Sequence, residues 1–234
     1  IVVTGFVLII FIFINALAHN PSIKQKLEPI SFDINESGAI THLSESIKFR
    51  TVSNQQATKK NIEEFKDFIG WLKINYKLVL KNTSLQTFNE TLLFKWEGQD
   101  VSLKPILLTG HYDVVPVIPG TEDKWKEPPF SGRVDSVYVW GRGALDDKSG
   151  VIGILEAVTY LMEKGFKPTR TIYLSFGHDE EIGGVNGAAL VAKYLSDNDI
   201  QLEWSLDEGS FLLGGFIPNV DKLVAAINVA EKGS

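Results

Sequence analysis

Four short polar clusters hold the residues of this chain that could do chemistry: His111-Tyr112-Asp113, Asp146-Asp147, Glu180-Glu181 and Asp207-Glu208. Taken singly, each is ordinary. A lone histidine on a strand is usually a hydrogen-bonded core residue, and a lone acid pair is usually a solvated loop. Taken together they read differently. Several carboxylates converging with one imidazole repel one another unless a cation neutralises them. Imidazole and carboxylate without thiolate suit zinc or a similar divalent ion, and the chain has no cysteine. Side chains two apart on an extended segment point the same way. Asp113 can therefore accept from the second ring nitrogen of His111, the usual support of a metal-bound histidine. Such a cation could activate a bound water, which is one kind of chemistry these residue types allow.

Each cluster must be positioned by the elements around it. Ile106-Leu107-Leu108 reads as a buried strand before Gly110 and His111, Thr171 to Phe176 as a strand before Glu180, and Leu202 to Leu206 as a strand before Asp207. Val134 to Trp140 reads as a hairpin with Asp135-Ser136 near its turn, ahead of Gly141-Arg142-Gly143-Ala144 and the Asp146 pair. Further short strands are expected at Leu78 to Leu80, Leu85 to Phe88 and Leu92 to Trp96. Asn61-x-x-Glu64 has the form of a capping box, followed at helical spacing by Ile62, Phe65, Phe68, Ile69 and Leu72 as far as about Asn75. Ser149 to Lys164 carries Val151, Ile154, Leu155, Val158, Leu161 and Met162 on one helical face. Thr41 to Phe49 and Ala188 to Leu195 are shorter helices. Strands alternating with helices predict an α/β fold, a mixed and mostly parallel sheet with helices on both faces. In such sheets ligands bind beyond the carboxyl ends of the strands.

The composition sets limits on the rest. The chain has 234 residues, 44% of them hydrophobic, enough for one ordinary globular domain. A net charge of -6, from 29 acids and 23 bases without a basic cluster, argues against a nucleic-acid partner. There is no Gly-x-Ser-x-Gly, no phosphate-loop Gly-Lys-Ser/Thr and no His-Glu-x-x-His. Residues 1–17 are an uncharged apolar run, and Ala16-Leu17-Ala18 has the small-x-small form of a cleavage site. Residues 1–18 therefore read as a signal peptide or, uncleaved, as a membrane anchor, with 19–40 a polar linker and 41–234 the catalytic part. Either reading of the run places the protein in the secretory pathway, secreted or anchored facing a vacuole- or lysosome-like lumen. Sequons at Asn35, Asn82 and Asn89 fit that placement.

The clusters also resemble a known family. Thr109-Gly110-His111-Tyr112-Asp113-Val114-Val115-Pro116 looks like the first metal motif of the M20 family of zinc peptidases and amidohydrolases. Gly141 to Gly150, Gly177 to Gly184, and Leu206-Asp207-Glu208-Gly209 look like its second, third and fourth. Trp125 and Pro128-Pro129-Phe130 are most similar to the branch of vacuolar carboxypeptidase S and the secreted N-acyl amino acid hydrolases. The resemblance implies a zinc-exopeptidase-like fold and two zinc ions. It implies that His111 and Asp207 hold one ion, that Asp146 bridges both, and that Glu181 holds the second. It makes Glu180 the general base, with Asp113 orienting His111, and it implies a cis peptide bond between Asp146 and Asp147. Tyr112 then reads as packing, His178 as structural, and Asp147 and Glu208 as supporting or loop residues.

The family pattern also contains a further zinc-binding histidine towards the C-terminus and an inserted lid domain that supplies dimer contacts. The only histidines here are His19, His42, His111 and His178, so the chain reads as a partial catalytic domain. The implied activity is hydrolysis of an amide bond next to a free carboxylate, of carboxypeptidase type. An N-acyl amino acid amidohydrolase or synthase, and a catalytically inactive binding homologue, stand as alternatives. The expected partners are a small peptide or N-acyl amino acid substrate, the membrane through residues 1–17, and a second copy through the lid domain.

Overall fold

The computed structural model describes residues 10–15, 31–54, 59–209, 212–215, 222 and 224–225. Two compact units divide at Ile34 and Asn35. In the first, residues 10–15 are helical, with the side chains of Ile10 to Ile14 exposed, and form the described part of α1. Most of the apolar run 1–17 and its cleavage-like site lie outside the described residues. Among the described residues, no helix is long and apolar enough to cross a membrane.

The second unit comprises α2 (Glu36–Ile47), α3 (Lys59–Asn75), α4 (Lys77–Asn82), β1 (Ser84–Phe88), β2 (Thr91–Trp96), β3 (Ile106–His111), α5 (Lys148–Glu163), β4 (Ile172–Gly177), α6 (Ala188–Asp197) and β5 (Trp204–Leu206). A separate two-stranded ladder joins β6 (Leu212–Leu213) to β7 (Val224–Ala225). The main sheet runs β1-β2-β4-β3-β5. The pairs β3/β4 and β3/β5 are parallel, whereas β1/β2 and β2/β4 are antiparallel. The sheet is therefore mixed. Its antiparallel edge comes from the β1–β2 hairpin, whose turn holds Asn89 at φ 53°, a left-handed conformation that asparagine tolerates.

Alternation along the strands divides the core between two faces. Leu92, Phe94 and Trp96 of β2 and Leu174 and Phe176 of β4 face α3, α4 and α5, packing with Phe68, Leu72, Val79, Val151 and Leu155. Leu93 and Tyr173 point the other way, to Val191 and Leu195 of α6. The helix α5 leads from β3 to β4 across one face, and α6 leads from β4 to β5 across the other. Strand β3 thus has β4 on one side and β5 on the other, and its carboxyl end is the crevice where the winding reverses.

Some local expectations give way to side-chain chemistry. Leu78 to Leu80, expected as a strand, lie in α4. Val79 is fully buried there, and Asn82 Nδ2 and Thr83 Oγ1 donate to the carbonyls of Leu78 and Val79. Helix α2 begins at Glu36, inside the expected linker, because Asn35 Oδ1 caps it by accepting from the Gly38 N–H at 3.0 Å. Helix α3 already runs through Asn61, which is therefore not its N-cap, and Glu64 accepts from the Arg50 N–H. The hairpin at Val134 to Trp140 shrinks to a single bridge between Val134 and Val139. Backbone bonds from Asp135 to Tyr138 and from Trp140 to Arg133 remain, and the Asp135 carboxylate also accepts the N–H groups of Val137 and Tyr138 at the turn.

Candidate metal centre

Strand β3 ends at His111 and the chain stays extended through Asp113, both buried. His111 Nδ1 lies 3.1 Å from the backbone carbonyl of Asp113 and 3.3 Å from its Oδ1. Both neighbours are acceptors, so Nδ1 carries a proton, and Nε2 is the ring atom left to face the other acids. Around Nε2 stand Asp146 Oδ1 at 3.0 Å, Glu208 Oε2 at 3.6 Å and Glu180 Oε2 at 3.8 Å. None of them makes an aligned hydrogen bond, and Nε2 remains a buried ring nitrogen without a partner. A buried ring nitrogen facing acids that do not bond to it is what a divalent cation would satisfy, by displacing any proton there.

Asp113 joins the parts. Its carboxylate accepts the Ser53 hydroxyl at 2.6 Å and the backbone N–H groups of Glu180 and Glu181, each at 3.1 Å. With His111 Nδ1 these fill about four lone-pair sites, the capacity of a carboxylate. The backbone bonds fix the short 3-10 turn Glu180–Ile182 after β4, which Gly183 closes at φ 100°. Adjacent side chains on that turn diverge. Glu181 joins Asp146 and His111, each offering a ligand atom within 4.8 Å of the others.

A second set, His111 with Asp147 and Glu208, meets the same distance limit. Asp147 has a further duty. It is buried, caps α5 by accepting from the Gly150 N–H at 3.1 Å, and accepts from the His111 N–H at 3.3 Å. Its approach needs Gly110, where a Cβ would stand 2.8 Å from Asp147 Oδ2. The peptide bond between Asp146 and Asp147 is cis. Asp207 belongs to neither set, and its Oδ1 accepts the Glu208 N–H at 2.9 Å.

The electrostatics match a site built for positive charge. Burial alone would lower the pKa of His111. The hydrogen bond and charge of Asp113, with the charges of Glu208 and Glu180, outweigh it and raise the value to about 10. Burial raises Glu181, helped by Asp146, and burial raises Glu208 and Asp147 too, each with further repulsion from Asp146. Asp113 goes the other way. Burial opposes its charge, but the bonds from His111 and Ser53 lower its pKa.

The remaining cluster residues are structural. Tyr112 is buried, stacks on Phe68 at 4.5 Å and donates to the Glu90 carbonyl. His178 Nδ1 pairs with Thr91 Oγ1 at 2.7 Å, and its ring packs edge-on against Phe65. Asp147 supports the site as expected, and Ser53 and Lys148 are further supports. An aspartate directly before a periodic helix is a cap signal, so the capping role of Asp147 was detectable. Ser53 carries no such signal. Neither does Lys148, which is fully buried and donates to the carbonyls of Ser46 and Phe49 at 2.8 and 2.7 Å.

Comparison with known proteins places this geometry in context. Residues 107–230 match the peptidase family M20/M25/M40. The chain is 45% identical over 197 residues to probable carboxypeptidase S-like 2 of Dictyostelium discoideum, covering 82% of this chain and 38% of that protein. It is 36% identical over 211 residues to the N-fatty-acyl-amino acid synthase/hydrolase PM20D1 of Mus musculus, covering 88% of this chain and 41% of that protein. It therefore spans about two fifths of the length of these relatives. Among solved structures, human carnosine dipeptidase 1 shares the fold with a TM-score of 0.63 at 18% identity, over 75% of this chain and 39% of that one.

Proposed function

The chain belongs to peptidase family M20/M25/M40, and from that membership we propose that it supplies metal-binding residues of a hydrolase cleaving an amide bond beside a free carboxylate. The family implies a divalent metal. We assign two zinc ions, held by His111, Asp146 and Glu181 with an acid from the turn after β5. The observation that carries the reading is His111. Its Nδ1 is committed to Asp113, and its Nε2 faces Asp146, Glu180 and Glu208 without a bond.

Divalent cations bound there supply an activated water and polarise the scissile carbonyl. The chain's own groups do the rest. Asp113 holds the His111 tautomer and anchors the Glu180–Glu181 turn through two backbone bonds. Glu180 keeps its carboxylate exposed beside the cluster, free to take a proton from the attacking water and return it to the leaving amine. Relatives named carboxypeptidase S-like and N-fatty-acyl-amino acid synthase/hydrolase support two substrate classes, peptides with a free C-terminus and N-acyl amino acids. Both present an amide next to a carboxylate.

The test is turnover of both substrate classes by the whole protein loaded with zinc. Glu180→Gln is expected to retain zinc and lose about 100-fold or more in kcat, the range of a general base. Undiminished turnover by that variant would remove Glu180 from the mechanism.

A further inference from the structure

We propose that Ser53 is a positioning residue of the metal centre, acting through Asp113 on His111 and on the Glu180–Glu181 turn. Ser53 lies on the segment that leaves α2, far in sequence from the four clusters. Val52 of that segment forms a parallel bridge with Val114. The segment is also fixed at both ends. The Lys148 ammonium donates to the carbonyls of Ser46 and Phe49. The Thr51 hydroxyl donates to the Tyr112 carbonyl, the Val114 N–H to the Thr51 carbonyl, and the Ser53 N–H to the Val114 carbonyl. The segment is thus strapped along residues 112–114, and Lys148 ties it to the first turn of α5, next to the Asp146–Asp147 pair.

The strap gives the Ser53 hydroxyl one near destination. Asp113 Oδ2 accepts it at 2.6 Å, while the His178 carbonyl lies farther off at 3.2 Å. Ser53 is 6% exposed and Asp113 is 0% exposed, so water cannot readily replace the bond. Without it, Oδ2 keeps only the Glu181 N–H, and the carboxylate can turn about its Cβ–Cγ bond. That rotation would release His111 Nδ1 on one side and the Glu180–Glu181 turn on the other. Outer partners of metal-bound histidines typically account for 10–100-fold in metal affinity.

The inference rests on the metal reading above, and the experiment separates the two. Zn2+ affinity of the whole protein is measured by competition with a chromogenic chelator, beside the melting temperature of the chelated form. Failure of the wild type to bind Zn2+ overturns the metal reading and this inference with it. If the wild type binds, Ser53→Ala is expected to weaken Zn2+ by about 10-fold, the lower end of that range, because Ser53 acts one contact further out than Asp113. Ser53→Thr, which keeps the hydroxyl, is expected to restore most of that loss. Unchanged affinity in Ser53→Ala, or equal losses in Ala and Thr, would overturn the role of Ser53 alone. A double-mutant cycle with Asp113→Asn sharpens the result. Action through Asp113 predicts that Ser53→Ala adds little in that background, and full additivity counts against it. If the Ala variant melts below the assay temperature, Ser53→Cys is read in its place, since it keeps the volume and offers only a weak S–H donor.

Discussion

Two kinds of surroundings meet at His111. On the β3 side, His111 and Asp113 are 3% and 0% exposed, and Asp113 is held by Ser53, the Glu180–Glu181 backbone and the imidazole itself. On the opposite side, the carboxylates of Asp146, Glu180 and Glu208 are 63%, 53% and 41% exposed. The inner half is a finished hydrogen-bond network. The outer half is a set of like charges with few donors. The first half positions its groups whether or not a cation is present, whereas the second needs a cation to settle it. This division separates residues held in place without a cation from residues that a cation must settle, and the effect of substitutions on metal-free stability tests it.

The largest expected effect is on the inner side. Asp113→Ala removes a fully buried acceptor and leaves the Ser53 hydroxyl, two backbone N–H groups and His111 Nδ1 without it. Breaking a buried charged pair from one side costs about 3–5 kcal/mol, so the metal-free protein should lose about that much in urea unfolding. Asp146→Ala, on the open side, should change the same measurement by no more than about 0.5 kcal/mol. Similar losses in both variants would erase the distinction between the halves.

A second, smaller effect appears in the pH dependence of the metal-free protein. Folding raises His111 from 6.5 to about 10. The stability it contributes is complete below about pH 6.5 and is lost as the pH rises towards 10. Burial lowers Lys148 from 10.5 to about 7, against the pull of Glu64 and Asp113. Between those values the unfolded chain holds a proton that the folded chain lacks, so this contribution grows with pH. Each slope is about 1.4 kcal/mol per pH unit where it is fully developed. The two oppose between about pH 7 and 10. His111→Asn removes the falling slope, and its stability relative to wild type should rise across that window. Parallel curves for the two proteins would show that His111 gains no proton affinity from its acidic surroundings.

How much of this the sequence shows depends on the scale of the interaction. The α/β alternation, the helix α5 and the order of the clusters are local patterns, and their period and spacing are visible in the chain. His111 and Asp113 are two residues apart, and a strand brings them to one side by geometry alone. The supports are not local. Ser53 is sixty residues from Asp113, and Lys148 about a hundred from the carbonyls it holds. A serine in an irregular segment, or a lysine at the start of a helix, reads as solvated until the fold brings the partner to it. The helix α4 departs from the strand its sequence suggests for a related reason. Three apolar residues between lysines satisfy either period, and the burial of Val79 decides between them.

The smallest effect on stability, and the finest test of the open half, concerns the turn after β5. Resemblance to the family assigns a metal ligand to Asp207, whereas the metal-free geometry brings Glu208 to 3.6 Å from His111 Nε2. The longer side chain is the one that reaches. Yet burial and repulsion from Asp146, Asp147 and Glu180 raise the Glu208 pKa, so its charge is unwelcome where it stands. Successive residues of an extended segment point to opposite sides. A modest rotation of this exposed turn therefore exchanges the two carboxylates, and a cation that neutralises the cluster lifts the constraint favouring the longer one. Neither Asp207→Asn nor Glu208→Gln should change metal-free stability by more than about 0.5 kcal/mol, since both side chains are exposed. In zinc affinity they should part. Asp207→Asn is expected to lose at least the 10–100-fold typical of a lost outer partner, and Glu208→Gln to stay close to wild type. The reverse ranking in a chelator competition would assign the ligand to Glu208. The turn would then already hold its bound arrangement without metal, and the open half would be as prearranged as the inner one.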